Sequence, residues 1–148
     1  MITVTKIFRI SAAHRLRFHE GKCFNVHGHE YKIEVSLRRI DGGVNETTGM
    51  VVDFSQIKAR IGAWLDSFWD HAYLRHQEDS PLGLTLPTIS GNVPLDTKEY
   101  PMLSNPTAEE MAALLLDVSR KLFADMPWIS VSKVTVWETE DSKAEVTG

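Results

Sequence analysis

Cys23-Phe24-Asn25-Val26-His27-Gly28-His29-Glu30-Tyr31-Lys32-Ile33-Glu34-Val35-Ser36-Leu37 is the stretch whose periodicity decides the fold. From His27 onward it alternates: His27, His29, Tyr31, Ile33, Val35 and Leu37 share one parity, while Glu30, Lys32, Glu34 and Arg38 take the other. Successive side chains of a β-strand point to opposite faces, so the pattern predicts a half-buried strand over 27–40. His27 and His29 then project side by side at the start of its apolar face. A His-x-His pair taken alone is also compatible with ordinary polar residues at a strand end, so its meaning depends on the rest of the chain.

Upstream, residues 2–13 alternate in the same way, with Ile2, Val4, Phe8, Ile10 and Ala12 opposed to Thr3, Thr5, Arg9 and Ser11. His14 follows on the apolar parity. An antiparallel return through Arg15 to Val26 would bring His27 and His29 near His14. Three His ligands with one open position make a catalytic rather than a structural zinc site, and the connecting loop would carry Cys23 past that position. His14 by itself reads as a core histidine bonded to a backbone carbonyl; the three together read as a metal site.

Downstream, Asp41-Gly42-Gly43 is a turn, and Asp53 with Gln56 forms a helix-capping pair. Ile57, Ile61, Trp64, Leu65 and Phe68 trace one face of a helix that ends near Trp69. Asp70-His71 follows, and from the residues alone it reads as a helix end with a surface histidine. Residues 77–105 hold four of the six prolines, Pro81, Pro87, Pro94 and Pro101. This Pro/Gly-rich insertion predicts an irregular segment without an ordered core, acting as a surface insertion, a cover over a site, or a subunit contact. Thr107, with Glu110 at the third helical position, starts a second helix whose stripe is Met111, Leu114, Leu115, Val118 and Leu122. Val131 to Thr139 reads as a strand with Val134, Val136 and Glu138 on one parity, and Ala144 to Thr147 as a short last strand. A carboxylate ending an apolar face must reach solvent or a dedicated donor. The order of elements predicts an α+β domain over 1–148, a largely antiparallel four-stranded sheet with two helices on one face.

Composition narrows the function classes. With 148 residues, 43% apolar and 24% charged, the chain suits one globular domain. A net charge of −4 with dispersed Lys and Arg offers no basic field for nucleic acid. The single cysteine excludes an internal disulfide. The chain shows neither a signal-peptide pattern nor a membrane-length apolar run, which leads us to expect a cytoplasmic protein.

Phe8-Arg9-Ile10-Ser11-Ala12-Ala13-His14, Cys23 before His27-Gly28-His29, Gly49-Met50-Val51-Val52-Asp53-Phe54, Asp70-His71, Asn105-Pro106-Thr107-Ala108-Glu109 and Trp137-Glu138-Thr139 form an ordered set. That set resembles the 6-pyruvoyl-tetrahydropterin synthase and 6-carboxy-tetrahydropterin synthase family. The resemblance implies the tunnelling fold, in which subunits pool their sheets into barrels, commonly as a homohexamer of two trimers with sites at subunit interfaces. It implies that His14, His27 and His29 bind Zn2+, that Cys23 is the catalytic base, and that Asp70 with His71 completes the proton-transfer set. Glu138 would anchor the pterin, with Thr107 close to the ring.

Two family reactions start from 7,8-dihydroneopterin triphosphate. One eliminates triphosphate to give the 6-pyruvoyl product; the other also loses acetaldehyde and leaves 6-carboxy-5,6,7,8-tetrahydropterin on the route to queuosine. The compact Cys-x-x-x-His-Gly-His spacing looks like the carboxy branch. Members that make 6-hydroxymethyl-dihydropterin carry Glu where this chain has Cys23. The 77–105 segment is longer than its counterpart in carboxy-branch chains. A non-catalytic, zinc-stabilised binding or scaffold protein is the competing reading, and Cys23, Asp70, His71 and Glu138 together speak against it. Arg15, Arg17 and Lys22 are phosphate partners by charge and position, or else solvated surface residues.

Overall fold

The computed structural model describes residues 1–80, 85–88, 91–94 and 97–148. In chain order its elements are β1 (Thr3–His14), a 3₁₀ turn (Lys22–Phe24), β2 (His27–Arg39), α1 (Phe54–Ile57), a π-helical turn (Lys58–Gly62), α2 (Ala63–Phe68), β3 (Tyr73–His76), β4 (Thr85–Thr88), β5 (Gly91–Pro94), β6 (Glu99–Met102), α3 (Ala108–Leu122), β7 (Ile129–Trp137) and β8 (Lys143–Thr147).

β1 and β2 form where the alternation places them. They pair antiparallel from Thr3 opposite Arg38 to His14 opposite His27. Ile10 and Ala12 of β1 and Tyr31, Ile33, Val35 and Leu37 of β2 are buried, whereas Thr3, Thr5, Ile7, Arg9 and Ser11 are exposed. Each fully buried Val, Leu or Ile stabilises by about 1.5–3 kcal/mol, and a one-residue slip would turn the whole set to solvent. The pairing register that sets His14 against His27 is therefore fixed by the core and not by the histidines.

The sheet has six strands in the order β6-β3-β1-β2-β7-β8, which corrects the four-stranded expectation. The four expected strands are antiparallel neighbours, β1 with β2, β2 with β7 and β7 with β8. The two additional strands run parallel, β3 beside β1 and β6 beside β3. Both are four residues long, too short for alternation to register in the sequence. Pro101 sits in β6, which is an edge strand, the position where a missing backbone N–H is tolerated.

The described part of the Pro-rich segment also departs from expectation, because it contributes to the core. Asp79 and Met102 are 5% and 4% exposed. Tyr100 packs edge-on against Trp64 and Trp69, with ring centroids 5.7 and 6.2 Å apart. β4 and β5 pair antiparallel as a separate two-stranded sheet. Residues 81–84, 89–90 and 95–96, and with them the expectation that the segment covers a site, lie outside the described residues.

Helices cover one face of the sheet. Asp53 caps α1 by accepting from the Ser55 amide at 2.7 Å. α1, the π turn and α2 run on from one another and bury Ile57, Ile61 and Leu65, with Trp69 just beyond. Gly62 permits close approach to β1, since a Cβ there would meet the Phe8 ring at 3.2 Å. Thr107 caps α3 by accepting from Glu110, and Glu109, Glu110, Arg120 and Lys121 complement the helix dipole at its two ends. Met111, Ala112, Leu115 and Leu116 close the core against β7. No helix among the described residues is long and apolar enough to cross a membrane.

Candidate metal centre and active site

The β1–β2 register brings His14, His27 and His29 together at one end of the sheet, with one ring nitrogen of each within 4.8 Å of the others. His14 is fully buried and the other two are partly so. Nδ1 of His14 donates to the Pro106 carbonyl at 2.7 Å, and Nδ1 of His27 donates to the Asn25 carbonyl at 2.7 Å. A carbonyl only accepts, so these contacts fix the tautomers and leave both Nε2 atoms as lone pairs.

Those two Nε2 atoms are 3.0 Å apart. Two neutral rings so fixed have no proton to share along that line. Nε2 of His29 is also buried, has no hydrogen-bond partner among the described residues, and stands 3.7 Å from a Glu138 oxygen, beyond hydrogen-bond distance. Burial pushes the His14 and His29 imidazoles below their usual titration range, with the Pro106 bond (at His14) and Glu138 (at both) opposing it in part. Protonation is thus a costly way to relieve the crowded lone pairs. A cation accepting all three nitrogens relieves them directly, and a neutral-imidazole donor set suits zinc. The second shell is already present in the Pro106 and Asn25 carbonyls.

Cys23 lies in the 3₁₀ turn, half-buried, and its carbonyl accepts from the Leu16 amide at 2.8 Å. Tyr31 packs against the cluster. Its hydroxyl is 3.2 Å from His14 Nδ1, and burial pushes the phenol far up, with the Glu138 carboxylate adding to the effect. Glu138 follows β7, just beyond the strand expected to include it, and is half-buried with a carboxylate oxygen 3.7 Å from His29 Nε2. Thr107 follows Pro106 directly and is held by its cap of α3.

Asp70 and His71 are built on the other edge of β1. The Ser11 amide donates to Asp70 Oδ1 at 3.0 Å, and the His71 amide donates to the Ser11 carbonyl at 2.7 Å. His71 adopts a left-handed backbone, φ 57°, and its ring stands out 79% exposed with Nδ1 2.9 Å from Asp70 Oδ2. Burial alone would raise the Asp70 carboxyl, but the Ser11 amide and the His71 ring outweigh it and hold it below the ordinary range. An open cleft of about 480 Å³ has both His71 and His29 on its wall, a size that suits a small-molecule ligand.

Two of the three suggested phosphate partners are already engaged. Arg15 forms a double ion pair with the buried Asp79, and Arg17 binds Glu78 at 3.0 Å and His76 at 3.1 Å. Lys22 is exposed. Sequence reasoning allowed His14 a backbone carbonyl but did not identify it as that of Pro106, and it missed Tyr31 beside His14 and the Asn105 bridge to Arg17. Tyr31 was visible on the histidine parity; a backbone carbonyl 92 positions away leaves no residue-type signal.

A sequence model of the family described as 6-pyruvoyl tetrahydropterin synthase matches residues 3–148. A protein of Rickettsia typhi named 6-carboxy-5,6,7,8-tetrahydropterin synthase is 34% identical over 147 residues, covering 99% of this chain and 100% of the relative. Its Haemophilus influenzae namesake is 30% identical over 145 residues, covering 98% of each. Among solved structures, an uncharacterized protein from Wolinella succinogenes superposes with a TM-score of 0.79 at 21% identity, over 99% of this chain and 98% of that one. The 6-pyruvoyl tetrahydropterin synthase of Caenorhabditis elegans does so at 0.69 and 25% identity, over 99% and 95%. The architecture is the tunnelling fold. With the match running through every strand that carries a site residue, the chain belongs to the 6-pyruvoyl tetrahydropterin synthase family.

Proposed function

We propose that this chain is a zinc-dependent pterin synthase that converts 7,8-dihydroneopterin triphosphate and water to 6-carboxy-5,6,7,8-tetrahydropterin, acetaldehyde and triphosphate. Membership of the family supports a pterin-processing enzyme, and the names of the relatives favour the carboxy product. In this reading the enzyme is a lyase that breaks carbon–carbon and carbon–oxygen bonds for queuosine synthesis. The observation that carries it is the trio of His14, His27 and His29, with a partnerless buried nitrogen beside Glu138.

Zn2+ bound by the three imidazoles would polarise the substrate's side-chain hydroxyls and set a positive charge near the thiol. Glu138 accepts two hydrogen bonds from the pterin, one from its amino group and one from the adjacent ring N–H, as a carboxylate does from the fork of an arginine. Thr107, at the head of α3, borders the ring. Cys23 takes a proton from a side-chain carbon. His71, oriented by Asp70, returns protons to the leaving groups and the ring. The ring gains the two hydrogens that side-chain oxidation releases, so no outside reductant enters.

The His71 ring faces outward from its bond to the half-buried Asp70, which supports a site closed by a second copy of the chain in a homo-oligomer, a dimer of trimers by resemblance. The test is to incubate metal-analysed protein with 7,8-dihydroneopterin triphosphate and weigh the products. Acetaldehyde with the carboxy-tetrahydropterin is expected. A 6-pyruvoyl product would support the alternative carried by the name of the C. elegans relative, and bound zinc without turnover would support the scaffold reading.

A further inference from the structure

We propose that Asn105 is a positioning residue that sets the Cys23 turn relative to His14. Its side chain makes a two-way bridge to one backbone residue: Oδ1 accepts from the Arg17 amide at 2.9 Å, and Nδ2 donates to the Arg17 carbonyl at 2.9 Å. Both hydrogen-bonding groups of Arg17 are thereby occupied, as they would be beside a strand partner. Arg17 lies in the connection between β1 and β2, next to Leu16, whose amide holds the Cys23 carbonyl. On its other side Asn105 precedes Pro106, whose carbonyl receives the proton of His14 Nδ1. The Thr107 amide closes back on the Asn105 carbonyl at 2.8 Å, which stiffens this corner before α3.

One amide side chain therefore joins the turn that carries the thiol to the carbonyl that orients the buried imidazole. The alternative fastenings of the loop are weaker guides to its position. The Arg17 guanidinium binds Glu78, a side chain 69% exposed and so competing with water, and the stronger Arg15–Asp79 pair acts at the ends of two side chains and leaves the Arg17 main chain unheld. A shift of an ångström at Asn105 would move the thiol and the ring together or pull them apart, and reactions depend steeply on such distances.

This inference rests on the reading that Cys23 acts beside a metal held by His14, but its test does not require turnover. The chain has a single cysteine, so alkylation by iodoacetamide reports Cys23 alone. In zinc-loaded Asn105→Ala the alkylation rate should change by about threefold or more, through altered exposure of the turn. Zinc release to a chelator should speed up by about tenfold and kcat fall by about tenfold, with KM changing much less. Asn105→Asp keeps the acceptor for the Arg17 amide but sets a second acceptor against the Arg17 carbonyl, so it should change the alkylation rate at least as much as Ala does, and it carries the test if Ala does not fold. Val134→Ala, a core truncation in β7, controls for general loss of stability and should leave the alkylation rate unchanged. An alkylation change below about threefold in the folded Asn105 variant, or an equal change in Val134→Ala, would overturn the proposal. Failure of the wild type to process the pterin would sink the functional reading and leave this comparison of rates intact.

Discussion

The two histidine groups on either edge of β1 differ in how far one chain completes them. On the β2 edge, His14 is wholly buried, two tautomers are fixed by carbonyls, and the free nitrogens converge. On the β3 edge, His71 is 79% exposed, supported by Asp70 but facing open space. The first is preorganised by the same register that builds the core. The second is held in place by Ser11 on the wall of an open cleft. A pocket for a metal can be finished within one fold, because its ligands need only converge on a point. A proton shuttle, the role proposed for His71, must also meet a substrate, and in the proposed function a second copy of the chain would bring it.

The comparison breaks first at the metal. His29→Ala removes the partnerless ligand, and the account expects loss of tight zinc binding. Activity should fall by on the order of 10³ or more, equivalent to the several kcal/mol a metal contributes to transition-state stabilisation. Metal analysis after dialysis checks the first part and product formation the second. Full zinc occupancy in this variant would remove His29 from the centre. His71→Ala should act oppositely on the two readouts: zinc content and melting temperature unchanged, because the ring is exposed, and kcat lowered by about 10²–10⁴ as for loss of a general acid–base. A fall in zinc content here would merge the two groups that we separate.

A smaller effect concerns the clamp behind the buried site. Hydrogen bonding to Arg15 holds the Asp79 carboxyl below its ordinary range, against the opposing effect of burial. With the folded value depressed, its contribution to stability is full above the ordinary carboxylate range and is lost as pH falls through the folded value. Asp79→Asn should therefore cost about 1–2 kcal/mol at neutral pH, and the gap from wild type should close on acidification below about pH 4. Urea midpoints at a series of pH values measure it. A gap constant down to pH 3 or so, below the ordinary carboxylate value, would show that the ion pair is not its source.

The contrast also explains what could be read from the chain before its fold was known. The alternation in residues 2–14 and 27–37 gave the long strands, and with them the meeting of His14 with His27 and His29, because a period of two combined with an antiparallel return leaves little freedom. The strand β7 followed from the same rule, although it ends at Trp137, one residue before Glu138. β3 and β6 were hidden because four residues carry no usable period, and their parallel pairing depends on the long path of the chain between them. The core contributions of Asp79 and Met102 were masked by the prolines around them. Asp70-His71 looked like a helix end because it is one; its support comes from Ser11, 59 positions earlier, through backbone groups that every residue possesses. Tertiary hydrogen bonds to the main chain leave no imprint on residue type.

The central proposal is that the buried metal group and the Asp70-His71 pair, with its exposed imidazole, are halves of one site supplied by different copies. Cys23→Ala and His71→Ala should each be inactive as uniform assemblies. Carried on differently tagged chains, co-expressed and purified through both tags, the two should form hybrids in which some sites pair an intact Cys23 with an intact His71. The account predicts that these hybrids recover activity at least about tenfold above either variant alone, since restoring a general acid–base is worth 10²–10⁴ at each repaired site. Hybrids confirmed to contain both chains, yet no more active than either parent, would contradict it.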